Sequence, residues 1–154
     1  MRLARLVPCL LFLWSVCAIW AADPFVGKWK LNLDKSDFGT GPKAKSGSTK
    51  YDAQGDGYMY ESETDFGEGN TARLGAPVKF DGTVDQGNLD GRDVTFVSKK
   101  IDGNNYEVLI TDKESGKVTQ RFQYGISSDN KTLTFLWMKT GQDKPFLKMV
   151  YDKE

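Results

Sequence analysis

The second half of the chain repeats one pattern, in which short segments of alternating apolar and polar residues are separated by tight turns. The segments are residues 93–101, 105–112, 117–127, 131–140 and 145–152. The links between them, DGNN, KESG, SSDN and GQDK, carry the Gly, Asn and Asp residues that favour positive φ in hairpins. Consecutive strands joined by such short links pair with their neighbours. The pattern therefore predicts an up-and-down antiparallel sheet.

The first half contributes further strands but is less regular. Residues 25–33, 48–53, 57–64 and 71–81 are predicted strands, and Gly75 and Pro77 indicate a bulge or an edge position in the last of them. Residues 81–91, DGTVDQGNLDG, show no alternation and are predicted to form a loop.

We therefore predict an all-β fold, a single up-and-down antiparallel barrel of about 8–10 strands, because closing a long sheet removes its exposed edges. A two-sheet sandwich is the alternative. It is disfavoured because it usually needs longer crossover connections than the short links found here.

Residues 1–22 have the layout of a secretory signal. Arg2 and Arg5 precede an apolar run over residues 6–20, and Ala21 and Ala22 offer small residues for cleavage. A membrane anchor is the alternative, but the apolar run of about 15 residues is shorter than the roughly 20 that span a bilayer. We expect residues 23–154 to form one domain, periplasmic or secreted, with no membrane span after cleavage.

The composition of that domain restricts its chemistry. Cys9 and Cys17 both lie in the leader, and the chain contains no histidine. Ser–His and Cys–His catalysis and the usual zinc sites are thereby excluded, and no metal or other cofactor is expected. Loss of Arg2 and Arg5 leaves a net charge near −2, which gives no electrostatic reason to expect nucleic-acid binding.

Other charged residues point away from catalysis. Glu61 and Glu63 lie two apart on a predicted solvent-facing side of their strand. Arg121 is out of phase with Tyr124 and so is expected to face outward or to pack against the Trp29 end. Asp81, Asp85, Asn88 and Asp90 offer oxygen ligands, but their spacing differs from that of a calcium loop. We therefore do not expect an enzyme. A metal-free barrel enzyme that uses Tyr, Arg and Glu is a distant alternative.

The strand phases predict an aromatic interior. Because alternate residues of a strand share a face, seven side chains are predicted to line it as ligand contacts: Tyr58, Tyr60, Tyr106, Tyr124, Trp137, Met149 and Tyr151. Phenol hydroxyls among apolar rings suit a small hydrophobic or aromatic molecule. Alternatively, large rings such as Phe122, Phe135 and Trp137 fill the interior and leave no space for a ligand.

Gly27 and Trp29 in the first predicted strand indicate a barrel floor. An indole buries a large apolar area and directs its N–H to a partner, while a glycine two residues earlier permits bending or close backbone approach. Direct contact between Trp29 and a ligand is the alternative.

These residues also carry a resemblance that extends over most of residues 23–154. The chain resembles the lipocalin-like, or calycin, superfamily, and within it a group of small exported bacterial proteins. The matching stretches are DPFVGKWKLN at 23–32 with Lys35 and Ser36, then KFDG, KKIDGNNYEV, GKVTQRF, SSDNKTLTF and VYDK at 150–153.

Fatty-acid-binding proteins are similar in their FVGxWKL start and their Tyr-acid-Lys end. That family places a helical lid between its first two strands, where this chain has only DKSDFGTGPKAKSG, so no such lid is expected. It also holds a carboxylate with an Arg-x-Tyr pair, and here the matching positions are Met149 and Tyr151. The resemblance implies non-catalytic binding of a small molecule in the barrel. The alternative is a structural or interaction protein of the cell envelope.

Overall fold

The computed structural model describes residues 23–89, 91–142 and 144–154, so the predicted leader lies outside the described residues. Ten strands follow one another along the chain: β1 (Gly27–Leu31), β2 (Ser46–Gln54), β3 (Gly57–Gly67), β4 (Asn70–Val78), β5 (Asp81–Leu89), β6 (Arg92–Lys100), β7 (Asn105–Asp112), β8 (Val118–Ile126), β9 (Thr132–Lys139) and β10 (Leu147–Lys153).

All ten strands belong to one antiparallel sheet with the order β4-β3-β2-β1-β10-β9-β8-β7-β6-β5. The first and last strands pair, with Leu31 opposite Tyr151 and Trp29 opposite Lys153. This pairing curls the sheet and confirms the predicted all-β, up-and-down barrel architecture.

The closure of the barrel is incomplete. β4 and β5 are the two ends of the strand order and do not pair with each other, although only Lys79 and Phe80 separate them in the chain. The prediction that closure would remove every edge is therefore wrong. We call the space between these two strands the β4–β5 gap.

The predicted loop at 81–91 is also wrong, because residues 81–89 form β5. This strand pairs with β6 from Val84 opposite Val97 to Leu89 opposite Arg92, after a register shift between Asp81 and Val84. Gly82 adopts φ +85° at that shift. As an edge strand at an opening, β5 is mostly exposed on both faces, so nothing requires the apolar alternation by which a strand is recognised.

The connection from β1 to β2 contains no helix within the described chain, as the lack of a lid sequence predicted. Instead it lies along β10. The Asn32 N–H donates to the Val150 carbonyl at 2.8 Å, and the Val150 N–H donates to Ser36 Oγ at 2.9 Å. Asp37 forms an isolated bridge with Lys148.

One end of the barrel is filled by residues just before and within β1. Phe25 and Trp29 are both 0% exposed, and the Phe25 ring stacks on Tyr106 at 4.5 Å. The Trp29 indole N–H donates to the Phe25 carbonyl at 3.2 Å. We call this end, with Phe25, Trp29 and Tyr106, the closed end.

Gly27 has a specific reason to be glycine. Its φ is +138°, and a Cβ there would lie 2.9 Å from Lys153 Cε. The Lys153 ammonium lies over the Trp29 ring at 4.8 Å and donates to the Pro24 carbonyl at 3.2 Å. The turn at Gly27 thus lets the chain enter β1 beneath this lysine and places Phe25 inside the barrel.

Candidate ligand-binding cavity

A cavity of about 420 Å³ lies inside the barrel and opens towards the β4–β5 gap. On β6 and β8 it is lined by alternate residues, because alternate side chains of a curled sheet point to the same interior, whereas the end of β4 and the link to β5 contribute the consecutive residues 76–80. The lining consists of Tyr51, Tyr60, Leu74, Ala76, Pro77, Val78, Lys79, Phe80, Asp85, Phe96, Ser98, Val108, Phe122 and Tyr124.

A smaller recess of about 150 Å³ adjoins this cavity. The two share Tyr51, Tyr60, Leu74, Phe122 and Tyr124, and the recess adds Thr49, Leu133, Phe135, Met149 and Tyr151. The strand register explains the grouping, because Tyr124 lies opposite Phe135 and Met149 lies opposite the same phenylalanine from the other side. The interior is therefore partly open and partly packed.

Four phenol hydroxyls belong to this interior. Tyr51 and Tyr60 lie opposite each other on β2 and β3, with ring centroids 4.9 Å apart. The Tyr124 ring packs against Phe135 at 5.2 Å, and the Tyr151 hydroxyl donates to Met149 Sδ at 3.5 Å, a weak acceptor. The polar part of the interior is thus a set of phenols among apolar rings.

Burial controls the ionisation of these phenols. Desolvation raises the pKa of Tyr51, Tyr124 and Tyr151, and the neighbouring tyrosines raise it further because a second phenolate nearby would be repelled. A phenol is already protonated at neutral pH, and the raised pKa extends the protonated form to more alkaline solution, so all three hydroxyls present neutral hydrogen-bond donors.

The mouth of the cavity is more polar and carries more acids than bases. Leu74 of β4 is 61% exposed although it lines the cavity. Lys79 forms an ion pair with Asp56 at 2.8 Å, and Asp81 and Asp85 also lie close enough to raise the pKa of this lysine.

Four of the seven predicted contact residues line the cavity or its recess, namely Tyr60, Tyr124, Met149 and Tyr151. The other three serve packing in this structure. Tyr58 donates to Asp23 Oδ2 at 2.5 Å, Tyr106 stacks on Phe25, and Trp137 packs edge-on against Phe122 at 5.9 Å. The hydroxyl of Tyr106 and the indole N–H of Trp137 are buried without a hydrogen-bond partner in the described chain.

Several lining residues were missed from the sequence. Tyr51 could have been found, because the hairpin between β2 and β3 places it opposite Tyr60. Phe96 shares a face with Val94 and Ser98 on β6, so its strand phase was also a usable signal. Leu74 and Asp85 had no such signal, since both lie on exposed edge strands.

Charged residues outside the cavity form ion pairs, one of which includes the buried Glu107. Arg121 faces outward, as predicted, and its Nε lies 3.3 Å from Glu107 Oε1. Glu63 accepts two hydrogen bonds from Arg73 at 3.1 Å, also on the outer face. Within residues 23–89, 91–142 and 144–154, no group of three His, Cys, Asp or Glu side chains is arranged to hold a metal ion, and no helix has the length and apolarity to cross a membrane.

The curled ten-stranded sheet with an interior cavity has the architecture of an up-and-down antiparallel β-barrel. No protein-family model and no curated protein matches the sequence.

Solved structures share the fold at low sequence identity. Secretory abundant heat soluble protein 4 from Ramazzottius varieornatus aligns with a TM-score of 0.62 and 18% identity over 88% of this chain and 98% of its own. The Schistosoma mansoni fatty acid binding protein in complex with arachidonic acid gives 0.58 and 16% over 85% and 96%. Apo lipid binding protein 8 from Caenorhabditis elegans gives 0.60 and 14% over 89% and 100%. At these identities the likeness is one of fold.

Proposed function

We propose that this protein binds a small hydrophobic or aromatic molecule inside its barrel, outside the cytoplasm and without catalysing a reaction. The observation that carries the proposal is the apolar cavity of about 420 Å³. This volume falls within the range of roughly 300–1,000 Å³ that is usual for small-molecule sites. The lining supports the same role, because a few phenol donors among aromatic and aliphatic side chains are typical of such sites.

The opening at the β4–β5 gap supports binding over a purely structural role. A barrel that served only as a stable shell would gain by packing its interior, because buried apolar area stabilises a fold by about 25 cal/mol per Å². Here Leu74 faces the interior and remains 61% exposed. A hydrophobic ligand would cover this side chain and so gain the burial that folding alone leaves incomplete.

The structural neighbours lend further support. Two of them are named as fatty-acid- or lipid-binding proteins, and one of these is in complex with arachidonic acid. Their ligands are not transferred to this chain. What the likeness contributes is that other barrels of this fold accommodate an apolar molecule.

Blocking the cavity tests the proposal. Ala76 lines it from an edge strand, so a large side chain there would enter the cavity without disturbing the closed end. We expect Ala76→Trp to weaken binding of the neutral fluorophore Nile red at least about tenfold, which corresponds to 1.4 kcal/mol. Fluorescence titration measures the binding, and thermal unfolding checks that the variant is folded.

Ala72→Trp is the matched control, because Ala72 lies on the same strand but does not line the cavity. It should bind Nile red as the wild type does. Absence of saturable binding by the wild type, or equal weakening by both substitutions, would contradict the proposal.

The location outside the cytoplasm rests on the leader. Cells that express the full chain should release a protein whose first residue lies near Asp23, as read by N-terminal sequencing of the exported fraction. A chain that begins directly at Asp23 is the control and should stay inside the cell. Recovery of the intact leader on exported or membrane-bound protein would contradict cleavage.

A further inference from the structure

The charge of the cavity restricts which hydrophobic molecules it can accept. The hydroxyls of Tyr51, Tyr60, Tyr124 and Tyr151 are neutral donors, and Ser98 and Thr49 add two further hydroxyls. Such donors suit a carbonyl, ester or hydroxyl oxygen, each of which carries a partial charge and loses little on leaving water if it is hydrogen-bonded.

A carboxylate is a different case, because an ion leaves water at a cost of several kcal/mol unless an opposite charge accompanies it. Of the described residues that line the cavity or its recess, Lys79 alone is basic. Its ammonium lies at the mouth, is paired with Asp56 at 2.8 Å, and its side chain is 52% exposed. It is therefore already neutralised and remains outside the phenol-lined interior.

The approach to the cavity is unfavourable to anions as well. Asp85 lines the mouth, and Asp81 lies near the same lysine. One base among Asp56, Asp81 and Asp85 leaves the mouth with an excess of negative charge. A carboxylate would meet repulsion at the entrance and no countercharge inside.

We propose that this cavity selects uncharged amphipathic molecules, those with an apolar chain or ring and one hydrogen-bond acceptor, over carboxylates of the same size. This inference rests on the proposed function. It concerns the headgroup of the ligand and leaves the length and shape of its apolar part open.

A competition experiment tests it. The purified protein is loaded with Nile red, which is then displaced by dodecanol, dodecanoate or dodecylammonium at neutral pH and below micelle-forming concentrations. We expect dodecanol to displace the probe at a concentration at least about tenfold lower than dodecanoate does. Acidification below the ordinary pKa of a carboxyl group should close this difference, because dodecanoic acid then enters uncharged.

Supplying the missing cation is the complementary test. Leu74 lines both the cavity and the recess and is exposed enough for Leu74→Arg to be tolerated. Val84 is the matched control: it is 58% exposed on the other edge strand and does not line the cavity. Leu74→Arg should strengthen dodecanoate binding about tenfold relative to dodecanol binding, which loses the apolar contact with Leu74, whereas Val84→Arg should change this ratio by no more than about twofold.

The outcomes separate the two proposals. Nile red binding with dodecanoate or dodecylammonium as the tightest competitor at neutral pH would overturn the selectivity for uncharged molecules and leave ligand binding intact. An equal response of dodecanoate to the two arginine substitutions would also overturn it. Failure of the wild type to bind Nile red or any of the competitors would refute both proposals.

Discussion

The closed end and the β4–β5 gap belong to the same antiparallel sheet, but the first is tightly packed and the second is open. At the closed end, Phe25 and Trp29 are fully buried, and β1, which carries Trp29, has a hydrogen-bonded neighbour on each side. At the gap, β4 and β5 each lack one neighbour, and Leu74 remains exposed beside the cavity. The comparison indicates that stability is concentrated at one end, which leaves the other side free to admit a molecule.

Truncation of Trp29 at the closed end should have the largest effect on stability. Trp29→Ala removes a fully buried indole and its hydrogen bond to Phe25, so we expect the free energy of unfolding to fall by about 3–5 kcal/mol. Leu74→Ala at the gap should cost less than about 0.5 kcal/mol, because its side chain is already exposed. Urea unfolding followed by circular dichroism measures both. Similar losses would show that the two regions contribute equally.

Substitutions of glycine should repeat the contrast at a smaller scale. Gly27→Ala must hold a φ of +138° and place its methyl group 2.9 Å from Lys153 Cε, so we expect a loss of about 1–3 kcal/mol. At Gly75 on β4 the nearest atom to an added Cβ lies 3.8 Å away, and Gly75→Ala should be neutral or slightly stabilising. The same urea titrations compare the pair. If Gly27→Ala left the free energy of unfolding unchanged, backbone strain at the entry into β1 would not explain why residue 27 is glycine.

The pH dependence of stability tests whether water that enters through the β4–β5 gap reaches the phenols of the cavity. The pKa of Tyr124 is raised in the folded state, so above its ordinary value near 10 the unfolded chain loses the proton first. Stability should therefore decline as the pH rises above about 10, and Tyr124→Phe should make this decline shallower by about 1.4 kcal/mol per pH unit.

Urea midpoints between neutral and strongly alkaline pH measure these slopes. Phenylalanine keeps the ring in place, so its effect reports the hydroxyl and not the packing. Identical slopes for the wild type and Tyr124→Phe would mean that water reaches this phenol freely. The surroundings of Tyr124 would then belong to the open region of the barrel and not to the packed one.

Sequence reasoning succeeded where burial imposes a pattern. Strands β6 to β10 have one face against the interior, so their apolar periodicity and turn residues predicted both their existence and the inward direction of Tyr124 and Tyr151. It failed for β5, since an edge strand beside an opening has no fully buried face and leaves no periodicity to recognise.

Periodicity also could not reveal what each inward residue meets. Tyr106 has the predicted phase, yet it contacts Phe25 instead of the cavity. Phe25 precedes β1 and enters the barrel only because of the turn at Gly27. The periodicity of a strand does not predict where the chain before that strand will turn. Which part of the interior belongs to the closed end and which part forms the cavity could therefore be learned only from the structure.

The unpaired edge of β4 bears on whether copies of this protein aggregate at high concentration. Pro77 lies within β4 opposite Met59 of β3. A proline fits there when its nitrogen faces away from β3, so the outer edge lacks one backbone donor. On the other side, the bulge between Asp81 and Val84 interrupts the β5 edge. These irregularities hinder the edge-to-edge stacking that seeds fibrils, so the barrel can stay open without becoming a template for aggregation.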